Sequence, residues 1–112
     1  MKLIYLESPF AGDVEKNVRY CRACVKDSLK RGEAPFASHI FYTQEGILDD
    51  DVLEEREWGI AAGFAWGEKA ARTVVYTDLG ISKGMEYGIA EARVKDRPIE
   101  YRTLGGEWAN DV

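Results

Sequence analysis

Four short runs rich in β-branched and aromatic residues alternate with three stretches of helical period, and this alternation restricts the chain more than any other feature. Residues 2 to 6 (Lys-Leu-Ile-Tyr-Leu) read as a buried strand that the turn-forming Ser8-Pro9-Phe10-Ala11-Gly12 interrupts. Val14, Val18, Cys21, Val25 and Leu29 then recur at helical spacing behind Asp13, a natural cap, and Gly32 ends the stripe. Pro35 to Phe41 predicts a second strand. Asp51 with Glu54 has the spacing of a capping box for a long second helix, in which Gly59, Ala62, Gly63 and Trp66 fall near one face and predict close packing. Arg72 to Tyr76 reads as a third strand, Ser82 caps a helix from Lys83 to about Arg93, and Pro98 to Arg102 reads as a fourth strand.

The order β-α-β-α-β-α-β predicts right-handed crossovers and a parallel sheet. The expected fold is therefore α/β, a flavodoxin/Rossmann-like three-layer sandwich with a short, mainly parallel four-stranded sheet. One domain over residues 1–104 is expected, followed by a tail, 105–112, in which Trp108 should find a docking place.

Charge and cysteine content narrow the partners. A formal charge of −5 opposes a phosphate backbone, and Arg19, Arg22, Lys26, Lys30 and Arg31 have the spacing of an ordinary solvated helix face. Nucleic acid is not the expected partner. The start of the chain is apolar for too few residues to form a signal-peptide core or a membrane span, so a cytoplasmic protein without membrane contact is expected. Cys21 and Cys24 make one C-x-x-C with no second pair, and His39 is the one histidine; no metal and no cofactor is expected, and the cysteines read as small apolar fillers. A domain this small gains from a subunit interface, and a homo-oligomer is expected.

In open parallel sheets ligands bind beyond the carboxyl ends of the strands, where the strand order reverses. Three loops lead there, 7–13, 42–51 and 77–82, and they gather Tyr5, Glu7, Ser8, Tyr42, Asp49, Asp50, Asp78, Ser82 and Glu86. Glu86 lies in a first helical turn beside Gly84, where the helix dipole favours an ionised carboxylate. Such a group can attack an anomeric carbon while a second acid, such as Asp78, protonates the leaving base. An acid in that position also serves simply to stabilise the helix.

Gly84-Met85-Glu86-Tyr87-Gly88-Ile89-Ala90 resembles the G-M-E-x-G-x-A segment of the nucleoside 2-deoxyribosyltransferases, and Ile4 to Gly12 is similar to their first strand and loop. The motifs at Ser8 to Gly12, Tyr20-Cys21, Pro35 to His39, Leu48 to Asp51, Glu54 to Gly59 and Ile81 to Met85 extend the likeness to small phage and prophage members of that superfamily. The resemblance implies catalysis by Glu86, Asp78 and Tyr5. It implies substrate contacts from Ser8, Pro9, Phe10, Gly12, His39, Asp49, Asp50, Ser82, Gly84 and Met85. The implied activity is N-glycosidic bond chemistry on a nucleoside or nucleotide, as a deoxyribosyltransferase or N-hydrolase. The tail has no visible match to the segment that reaches a neighbouring subunit's site, which keeps hydrolysis or binding alone beside transfer. Two alternatives stay open: a phage protein that sequesters a nucleotide without turnover, and a structural oligomeric subunit.

Overall fold

The structure, a computed structural model, describes residues 1–111, without the side chains of Asn110 and Asp111; Val112, the end of the expected tail, lies outside the described residues. Four strands, β1 (Leu3–Glu7), β2 (Ala34–Phe36), β3 (Arg72–Tyr76) and β4 (Ile99–Arg102), form one all-parallel sheet in the order β2-β1-β3-β4. Between them run α1 (Val14–Lys30), the single turn α2 (Ser38–Phe41), α3 (Leu53–Gly67) and α4 (Lys83–Val94), and a 3-10 turn, Trp108–Asp111, closes the described chain. The chain steps from β1 one way to β2 and from β3 the other way to β4, so the order reverses between β1 and β3. This is the expected flavodoxin-like sandwich.

Strand periodicity decides what each layer receives. Ile4 and Leu6 of β1, with Val74 and Tyr76 of β3, pack with Tyr20, Cys21 and Cys24 of α1. The alternate residues face the other layer: Tyr5 meets Ser38 of α2 and Gly63 of α3, Glu7 meets Gly88 of α4, and Val75 packs with Met85 and Ile89. The central strand therefore delivers a phenol and a carboxyl group to one side.

Several local expectations are corrected. The second strand stops at Phe36, and Ser38 to Phe41 coil into α2, with the Ile40 and Phe41 amides donating to Ala37. An extended run would send Ser38 and His39 to opposite faces; the turn carries both over the end of β1. Helix α3 begins at Leu53 and the Asp51/Glu54 capping box does not form, because Asp49 binds the Asp51 amide and donates its own amide to Glu55, prolonging the loop. In α1 the buried face is Asn17, Tyr20, Cys21, Cys24 and Ser28, while Val14 and Leu29 are exposed. Polar groups with inward partners set that rotation: Asn17 donates to the carbonyls of Phe10 and Ala11, and Ser28 donates to Glu33. Trp108 does dock, edge-on against Tyr20 of the same chain.

The glycine at position 63 has a packing reason. A Cβ there would stand 2.5 Å from both Tyr5 Oη and Ser38 Oγ, atoms already hydrogen-bonded to each other at 2.6 Å. Alanine gains helix propensity of about 1 kcal/mol, but displacing a buried hydrogen-bonded pair costs about 1–3 kcal/mol. Gly63→Ala is expected to lower stability in urea unfolding by up to about 2 kcal/mol and to disturb Tyr5.

Candidate functional site

At the carboxyl end of β1 lies a cleft of about 190 Å³, walled by α2, α3 and the first turns of α4. Its apolar walls include Phe10, Tyr42, Phe64 and Met85, and its polar groups include Tyr5, Glu7, Ser8, Ser38 and His39. It opens onto a groove that shares Phe10, Thr43 and Leu48 and is edged by Glu45, Asp49, Asp50, Asp51 and Glu55.

Each polar group is held by its element. Tyr5 is fixed by Ser38, and burial keeps its phenol protonated well above the usual tyrosine range. Ser8 lies 2.8 Å from His39 Nε2, and desolvation lowers the imidazole pKa to about 4, so at pH 7 it is neutral and can accept or donate a hydrogen bond according to its tautomer. The His39 carbonyl in turn accepts from Thr43.

Glu7 is the unusual member. It is only 8% exposed, yet among the described residues its carboxyl makes no hydrogen bond to the protein. Its neighbour on α4 is Gly88, where any Cβ would overlap the carboxyl group. Desolvation pushes its pKa up to about 8, against the opposing field of Arg97. Arg97 donates to Thr73 Oγ1 and the Gly67 carbonyl and sits 3.5 Å from Glu91, so its charge is largely committed elsewhere.

The structure gathers part of the expected site. Tyr5, Ser8, Phe10, His39, Asp50, Ser82, Gly84 and Met85 line the cleft; Gly12 and Asp49 line the adjoining groove; Pro9 is buried and lines neither. Glu86 is exposed and lines neither, because the inward face of α4 carries Met85, Gly88 and Ile89 and turns position 86 outward. Ser82 caps α4 through the Met85 amide. Asp78 is also absent from the cleft wall. Its carboxylate accepts from the Tyr20 hydroxyl and from the amides of Leu104 and Gly105, an anchor for the tail on the α1 side. Of the three expected catalytic residues only Tyr5 reaches the cleft. Among the described residues no cluster of three or more His, Cys, Asp or Glu suits a metal ion, and no helix is long and apolar enough to cross a membrane.

The sequence gathers Glu7 with the first loop but does not set it apart from the other acids there. The available signal was its strand phase, two residues beyond Tyr5 and so on the same face.

Two outcomes test these placements. Glu7 binds a proton in the folded chain up to pH about 8 but in the unfolded chain only up to about 4.5, so stability falls as pH rises through that window. Glu7→Gln is expected to raise the unfolding free energy by up to ~3 kcal/mol at pH 7, a gain that vanishes below pH about 4.5, read by denaturant titration across pH. Asp78→Ala is expected to speed amide hydrogen exchange at Leu104 and Gly105 while leaving the amides of β1 protected, read by NMR.

The comparisons with known proteins fit this architecture. No curated protein matches the chain. Among solved structures, the 2-deoxyribosyltransferase of the psychrotolerant bacterium Bacillus psychrosaccharolyticus aligns with a TM-score of 0.64 at 20% identity, over 94% of this chain and 74% of that one, a likeness of fold. Residues 2–102 match the model of a domain of unknown function, DUF7768, and the chain belongs to that family.

Proposed function

We propose that the chain binds a nucleoside in the cleft and breaks its N-glycosidic bond. The observation that carries this reading is the meeting of the buried, unpartnered Glu7 carboxyl group with one phenol and one neutral imidazole in a mostly apolar cleft at the end of β1, where the strand order reverses. Aromatic walls suit a flat heterocycle, and the polar floor from β1 suits the bond that joins it to a sugar. The shared fold with a 2-deoxyribosyltransferase and the Gly-Met-Glu segment support the same chemistry.

Size and charge refine the ligand. The cleft is smaller than the ~300–1,000 Å³ of drug-sized sites, so it takes one ring of the ligand and leaves the rest over the groove. The groove is edged by five carboxylates, which disfavour a phosphate there and favour a nucleoside over its 5′-monophosphate. The cleft opens to solvent, so water is the available acceptor and hydrolysis the simplest outcome.

Glu86, the nucleophile its segment implies, lies outside the cleft, so the proposed cleavage is assigned to the groups that line it. The test is chromatography of free base after incubation with a panel of purine and pyrimidine nucleosides and their 5′-monophosphates. The expected result is release from at least one nucleoside, with its monophosphate at least about tenfold slower, and Glu86→Gln keeping most of the rate. A folded sample that neither releases base from any nucleoside nor binds one in calorimetry overturns the reading.

A further inference from the structure

Resting on that reading, we propose that Glu7 is the acid that protonates the departing base. Its carboxyl group ends β1 at the reversal of strand order, lines the cleft, and is held back from water on its other sides. Among the described residues its carboxyl has no hydrogen bond to the protein and its open side faces the cleft, so the partner it takes is whatever fills the cleft, and a bound ligand is placed to be that partner. Around it, the groups whose charge or titration it feels or perturbs are Tyr5 on β1, Cys21 on α1 and Arg97 beyond α4. None of these is hydrogen-bonded to it. Gly88 leaves room for the carboxyl: a Cβ at that position would occupy the same volume. Desolvation keeps the acid protonated at neutral pH, the state a proton donor needs.

The step balances without any further cofactor. The bond between the sugar C1′ and the base nitrogen breaks, its electron pair goes to the base, and the Glu7 proton passes to a ring nitrogen of that base. Water forms the new bond to C1′ and gives a proton to the Glu7 carboxylate, which restores the acid. A base that departs as a poor anion needs this proton; a 4-nitrophenolate leaves without one.

The experiment compares wild type and Glu7→Gln on 2′-deoxyadenosine, or whichever nucleoside the wild type cleaves, and on the 4-nitrophenyl glycoside of the same sugar. Glu7→Gln conserves size and removes only the transferable proton. The expected result is a kcat lower by about 100-fold or more on the nucleoside, with the nitrophenyl glycoside cleaved within about tenfold of wild type. The wild-type rate on the nucleoside is also expected to fall above pH about 8, a limb absent from the variant. Equal loss on both substrates, or loss on neither, overturns the assignment of Glu7 and leaves nucleoside cleavage standing. A wild type that cleaves no nucleoside overturns the proposed function and this step with it.

Discussion

A carboxyl group taken out of water has to be paired, coordinated or neutralised, and the side chains around Glu7 leave it neutral. Arg97, the one cation whose field acts on it, is held by Thr73, the Gly67 carbonyl and Glu91. That arrangement fixes much of the α3 and α4 layer. Arg97 bridges the end of α3 to β3, Gly88 lets α4 approach the strand, and Gly63 lets α3 settle on the Tyr5–Ser38 pair. Two interior helical glycines, each costing roughly 1 kcal/mol relative to alanine, are retained where the end of β1 carries polar atoms.

The opposite layer is built for rigidity. Tyr20 of α1 is buried completely, donates to Asp78 and receives the edge of Trp108, so helix, strand end and tail share one anchor. Nearby, the Arg102 guanidinium, 4% exposed, bonds Glu33 through two nitrogens, Glu100 through a third and the Tyr76 hydroxyl, which itself donates to Asp27. Those bonds hold the Glu33 and Glu100 carboxyls below the usual range, the reverse of what burial does to Glu7. The contrast is between Glu33 and Glu100, ionised and paired with Arg102, and Glu7, neutral and without a partner among the described residues. Breaking such a buried pair strands the other charge, whereas Glu7 has no pair to lose.

What the sequence made legible follows from period. The three five-residue or shorter strands with clear β-branched or aromatic content and the three long helices could be read because alternation and helical stripes survive burial. Turn chemistry around Pro35 and Asp49 was harder. Ser38-His39-Ile40-Phe41 has the composition of a strand and coils only because Ser38 and His39 each find a partner on or just after β1, a tertiary gain invisible in local propensity. The site shows the same division. Tyr5, Ser8 and His39, which the resemblance and the chain order set near the end of β1, line the cleft, while Asp78 and Glu86, set after β3 by the same resemblance, face away from it, a direction that neither motif nor chain order contains. For Asp78 the deciding fact was a tyrosine 58 residues away; for Glu86 it was the phase of a helix whose inward positions are Met85, Gly88 and Ile89.

The phase of α4 also bears on where chemistry can sit in this fold. A helix that lies on the sheet through Met85, Ile89 and Ala92 shows the cleft positions 83, 84, 85, 87 and 88, and at two of those five this sequence places glycine. The helix therefore supplies space to the cleft. The Glu7 carboxyl group comes from the strand, where Tyr5 is paired with β2 and β3 and Glu7 itself with Val75 of β3, and that pairing fixes its direction more firmly than a first helical turn can. A proton donor gains from that rigidity, since its distance to the departing atom is then set by the sheet before any ligand arrives.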